Sequence, residues 1–169
     1  PRSLLRGDYV ILSYGFQRLS KEQQEALSKE WEQVHPGLAN EPSASYQSIP
    51  DDTLVYIPLS RPAQGVSTFG EPTLKKPANG AFLLARKGRG NWGQGELRAG
   101  IESYYVEEGT GLKWEKLRNQ SRLLAEIAVL PNGRAGLVGL QEAIREVGVA
   151  VPYRRLENHF YQGKDQGYL

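Results

Sequence analysis

The sequence predicts an α+β fold with a largely antiparallel sheet, open or partly closed into a barrel, and one amphipathic helix inserted after the first strand. Three observations carry this. A single strong helix signal lies between Ser20 and His35. The other well-patterned stretches read mainly as strands, and they follow one another through Gly- and Pro-rich turns instead of alternating with helices. Within the longest of them, Glu96 to Val106, Leu97, Ala99, Ile101 and Tyr105 fall on one face and Glu96, Arg98 and Glu102 on the other, as in a sheet solvated on one side. At 169 residues the chain suits one domain with a sizeable core, assigned to residues 1–151 and followed by a polar, aromatic tail over 152–169.

The first strand sets the frame. Arg6-Gly7-Asp8 reads as a turn that runs into Tyr9-Val10-Ile11-Leu12-Ser13-Tyr14, rich in β-branched and aromatic residues. Val10, Leu12, Tyr14 and Phe16 share one face, and Tyr9 and Ile11 share the other. With apolar residues on both faces, the strand is expected near the middle of the sheet. Ser20, with Gln23 three residues on, forms a capping box that opens a helix, and Leu27, Trp31 and Val34 give it a narrow apolar stripe. His35-Pro36-Gly37 stops it.

After a long polar connection over 38–52, Thr53 to Ile57 is a short strand closed by Pro58. Residues 60–79 read as loop with at most a short strand over 66–69, and Ala81 to Arg86 is the next strand. Lys87 to Gly95 is a glycine-rich loop. Gly109-Thr110-Gly111 turns the chain after Val106, and Leu112 to Gln120 suits a short helix. Leu123 to Leu130 and Arg134 to Leu140 are strands joined by Pro131-Asn132-Gly133, a sequence built for a hairpin turn. Gln141 to Val147 reads as a short helix ended by Gly148.

Composition excludes several classes. A net charge of +2 is too small to argue for nucleic acid. Without cysteine the chain has no disulfide, no thiolate catalysis and no cysteine zinc site. No window approaches the roughly 18 apolar residues that cross a bilayer. Methionine is absent as well, and a chain opening at Pro1 is expected to be a processed or truncated product. His35 and His159 have no companion at metal-ligand spacing, so no metal and no cofactor are expected; His35 suits the C-terminal end of the helix dipole. The phosphate-loop and serine-elbow patterns are missing. Arg6-Gly7-Asp8 spells an adhesion tripeptide, but it leads into a core strand and is better read as a turn in which Asp8 accepts nearby backbone N–H groups.

Two constellations remain. Glu102, Glu107 and Glu108 gather carboxylates near a strand end, and in an enzyme Asp8 with Glu102 would be the pair to test. Lys87, Arg89 and Trp92, with Lys75, Lys76 and Arg86, make a basic glycine loop holding an aromatic, suited to anionic headgroups or polymers. Tyr153, Phe160 and Tyr161 of the tail are further candidate contacts.

Gly7, Asp8, Tyr9, Leu12 and Tyr14 match every fixed position of the pattern Gly-Asp-Tyr-x-x-Leu-x-Tyr. The chain thereby resembles the GDYXXLXY family of bacterial membrane-anchored proteins. The lead-in Pro1 to Arg6, the block Gly100 to Gly109 and the stretch Leu123 to Leu140 are similar to further parts of that family. A Gly-Asp-Tyr strand start also resembles signal-peptidase-like serine proteases, but their Ser-Met nucleophile segment cannot exist without methionine. The family resemblance implies a hydrophobic anchor before Pro1 and a domain outside the cytoplasm, in a periplasm or thylakoid lumen. It implies companionship with an integral membrane protein or membrane complex. No catalytic residue carries over, because no activity is established for the family. The leading expectation is a non-enzymatic accessory or assembly domain acting by protein binding. The alternatives are a hydrolase of envelope material and a module binding anionic headgroups or polymers.

Overall fold

A computed structural model describes residues 7–36, 49–60, 66–88, 96–143 and the backbone of 153–155. The fold is α+β: the sheets are mostly antiparallel and one curls into a half-barrel, with two helices beside them. Strands β1 (Gly7–Ile11) and β6 (Ser103–Glu107) form a two-stranded antiparallel ribbon. A four-stranded sheet runs in the order β3 (Thr68–Phe69), β2 (Leu54–Ser60), β4 (Ala81–Lys87), β5 (Leu97–Arg98). In the third sheet β7 (Leu123–Val129) pairs with β8 (Ala135–Glu142) on one side and, in parallel, with β9 (Tyr153–Arg155) on the other.

One core joins the three sheets. Val10, Ile57, Leu83, Leu97, Ile101 and Ile127 are almost wholly shielded and belong to a single cluster. Each such aliphatic side chain contributes about 1.5–3 kcal/mol relative to exposure. The predicted inner face of the first strand is realised in full, since Val10, Leu12, Tyr14 and Phe16 are all buried. Its outer face differs from expectation. Tyr9 and Ile11 are 53% and 55% exposed, so this side of the two-stranded ribbon faces solvent.

Helix α1 (Lys21–Val34) carries the predicted capping box, with Gln23 N–H donating to Ser20 Oγ and Ser20 N–H to Gln23 Oε1. Leu27 anchors it in the core and Trp31 is partly buried, but Val34 lies exposed beyond the contact. At its end His35 stacks on Trp31, with Nδ1 3.2 Å from the Trp31 carbonyl oxygen. Helix α2 (Gly111–Asn119) confirms the second, shorter helix and packs through Leu117 against β1 and β7.

The long strand expected over 96–106 is broken. Gly100 takes φ +80°, and the chain turns a corner that sends β5 to β4 and β6 to β1. Face parity reverses past Ile101: Leu97 and Ile101 are buried, whereas Tyr105 points outward. The start of the helix expected over 141–147 is likewise replaced, for Gln141 and Glu142 continue β8 opposite Leu124 and Leu123; residues 144–152 lie outside the described set. The hairpin turn is as expected, closed by Gly133 N–H to Leu130 O and Leu130 N–H to Arg134 O. Gly133 has φ +84° and rides on the Phe82 ring, so no side chain fits there.

Candidate functional site

The site is built from the ribbon and its two ends. At one end Asp8 Oδ2 accepts the N–H groups of Gly109 and Gly111, each at 2.9 Å. These donors are not the nearby ones expected of a local turn; they lie 101 and 103 residues away. The carboxylate thus fixes the turn after β6 and caps the start of α2, where exposed donors and the helix dipole favour an anion. Gly111 is required here, because a Cβ would stand 2.8 Å from Asp8 Cβ and 2.9 Å from Oδ2.

At the other end the Tyr14 hydroxyl donates to Ile101 O (2.8 Å) and Leu12 N–H donates to Glu102 O (2.8 Å). Glu102 Oε1 in turn accepts from Ala99 N–H (2.6 Å) and Gly100 N–H (3.2 Å), tying down the corner. Burial, with the Glu102 charge adding to it, pushes the Tyr14 phenol well above its usual range, so it stays a neutral donor. From α2, Arg118 Nη1 donates to Ile11 O at 2.7 Å.

Between these clamps the ribbon turns one face to solvent. Tyr9 and Tyr105 are directly opposed in register, their ring centroids 3.7 Å apart and tilted by 48°. Ile11, on the same face, extends the surface. A Cβ on Gly7 would come within 3.0 Å of Tyr105 Cδ1, so glycine there leaves room for the ring.

The carboxylates considered for acid–base work do not converge. Asp8 pairs with Val106 at one end of the ribbon, and Glu102 lies beside Leu12 at the other. Four residues of strand separate them by about 13 Å. Both are occupied by backbone donors that hold turns. Glu102 does line a groove of about 820 Å³, together with Leu12, Tyr14, Arg18, Glu96 and Arg98. Among the described residues no group of three or more His, Asp or Glu could hold a metal ion.

The GDYXXLXY family model matches residues 1–140. The chain belongs to the GDYXXLXY family. No curated protein and no solved structure matches it. The family match takes in the ribbon, both clamps and the β7–β8 hairpin as far as Leu140, and leaves β9 outside. Within the GDYXXLXY motif, Gly7, Asp8, Leu12 and Tyr14 serve the scaffold, and Tyr9 alone of the fixed positions faces solvent.

Of the other expected contacts, Lys87 is the last residue of β4, and its ammonium pairs with Asp51 at 2.8 Å with little side-chain exposure. Arg89, Trp92, Phe160 and Tyr161 lie outside the described residues. Tyr153 opens β9 opposite Ile127. Sequence reasoning missed Tyr105, which continuous strand parity had assigned to the buried side. The signal in the sequence was Gly100, a residue that lets the chain turn a corner and end a continuous strand. No helix of the described residues is long and apolar enough to cross a membrane.

Proposed function

We propose that this GDYXXLXY protein is a non-enzymatic accessory domain outside the cytoplasm, which binds an integral membrane protein or membrane complex through the outer face of the β1–β6 ribbon. The observation that supports the reading is the opposed pair Tyr9 and Tyr105 with Ile11 beside it, all more than half exposed. Aromatic side chains bring large contact area at low entropic cost and are enriched where interfaces concentrate their energy. Hydrogen bonds at both ends hold the ribbon in shape before a partner arrives, which lowers the ordering cost of binding. The Asp8 and Glu102 carboxylates, spent on backbone donors at opposite ends, lend no support to the hydrolase alternative.

The test is isolation of the full-length chain from its own detergent-solubilised membranes, with mass spectrometry of what accompanies it, for the native protein and for Tyr9→Ala with Tyr105→Ala. An integral membrane protein recovered in stoichiometric amount with the native chain, and depleted at least tenfold with the double variant, is the expected result. Bait alone, or equal recovery with both, refutes the proposal.

A further inference from the structure

We propose that Arg86, Arg98 and Arg134 form a second site, separate from the aromatic face, that takes a phosphate group. The fold brings these residues together from three segments. Arg86 and Arg98 are directly opposed on β4 and β5, so their side chains leave the same face of the sheet with Cβ atoms about 5 Å apart. Arg134 arrives from the turn of the β7–β8 hairpin, which is fastened to β4 by Leu84 N–H donating to Gly133 O at 2.7 Å. All three line one groove of about 610 Å³, along with Gly88, Gly100 and Ala135. Arg98 lies along the strand over Gly88, its Nε 3.5 Å from where a Cβ there would stand.

Like charges set directly opposite each other destabilise a sheet, and solvated surface arginines have no reason to share a register position with a second one and a groove with a third. The neighbouring carboxylates offset them in part. Glu96 meets Arg98 Nη2 at 3.3 Å on the surface, Asp51 pairs with Lys87, and Asp52 lines the same groove. Each guanidinium presents a planar fork of donors. A single carboxylate satisfies one such fork, whereas a tetrahedral phosphate offers oxygens in several directions to forks arriving from a sheet face and from a separate turn. Gly100, where an added Cβ would meet nothing within 4 Å, leaves the backbone open to close approach by the ligand.

The site is tested on the full chain by following backbone amide resonances while inorganic pyrophosphate is added. In parallel, flotation is measured with vesicles of equimolar phosphatidylcholine and phosphatidylglycerol. Saturable shifts at Gly88, Gly100 and Ala135 are expected, with Tyr9 and Tyr105 unmoved and with binding that weakens as salt is raised. Binding should fall at least tenfold in Arg86→Gln with Arg134→Gln. Both side chains are exposed, so the double variant should keep its fold, and Arg134→Gln alone, which leaves the sheet untouched, should weaken binding in the same direction. Flotation lost in the double variant identifies the phosphate as a lipid headgroup. Shifts with pyrophosphate but no flotation identify a soluble phosphate compound. No saturable shift and no flotation, or the same response in native and variant chains, overturns the proposal.

Discussion

Replacing Asp8 separates a scaffold role from a catalytic one. In the native chain its Oδ2 serves two backbone donors, Gly109 N–H in an exposed turn and Gly111 N–H at the partly buried start of α2. A hydrogen bond to a charged group contributes about 1.5–3 kcal/mol net when partly buried, and less where water can take over, as at Gly109. Asp8→Ala is therefore expected to cost about 3 kcal/mol, which for a chain of this size lowers Tm by about 6–12 °C. Asp8→Asn keeps an acceptor oxygen but gives up the charge at the helix start, and should cost about 1 kcal/mol. Urea unfolding followed by circular dichroism measures both, and amide hydrogen exchange should show faster opening at Gly109 and Gly111 than in the core strands. An Asp8→Ala chain with the native unfolding midpoint would refute the clamp. So would protection at both glycines left unchanged.

Gly111→Ala should destabilise by about 1–3 kcal/mol, although alanine is ordinarily the better helix former by about 1 kcal/mol, because the added methyl meets Asp8 Cβ and Oδ2 inside van der Waals distance. Thermal melts decide the sign. For Tyr14 the folded state favours the neutral phenol, so its raised pKa leaves stability untouched below the ordinary value of 10.0 and erodes it as pH climbs above that point. Tyr14→Phe should cost about 1 kcal/mol at neutral pH through the lost bond to Ile101 O, yet lose less stability than the native chain above pH about 10. Parallel alkaline losses in the two chains would count against the assignment.

What the sequence made legible was local. The alternation Val10, Leu12, Tyr14, Phe16, the Ser20–Gln23 capping box and the Pro131-Asn132-Gly133 turn each rest on contacts or conformations settled within a few residues. What escaped was set at long range. Period-two alternation continues unbroken through 96–106, and only the positive φ of Gly100 and the Glu102 carboxylate folded back on Ala99 and Gly100 reveal a corner. Large apolar residues at 9 and 11 predict a second covered face, but composition cannot say whether another layer packs over it. Asp8 read as a local turn residue because its donors stand over a hundred residues away. The Arg86–Arg98 opposition is equally invisible, since it depends on the β4–β5 register.

These misses share a cause that bears on how the motif is used. Asp8 and Tyr14 stand six residues apart and grip the two ends of β6, one through the turn at Gly109 and the other through the corner at Ile101. Such a motif defines a rigid ribbon. Leu12 completes it by placing its side chain in the core and its N–H on Glu102 O. Tyr9 is the exception, since the ribbon would keep its clamps with any β-forming residue at that position. A large aromatic held outward at a fixed place, against an equally outward Tyr105, adds a cross-strand pair to the ribbon and leaves the exposed surface that the proposed partner contact would use.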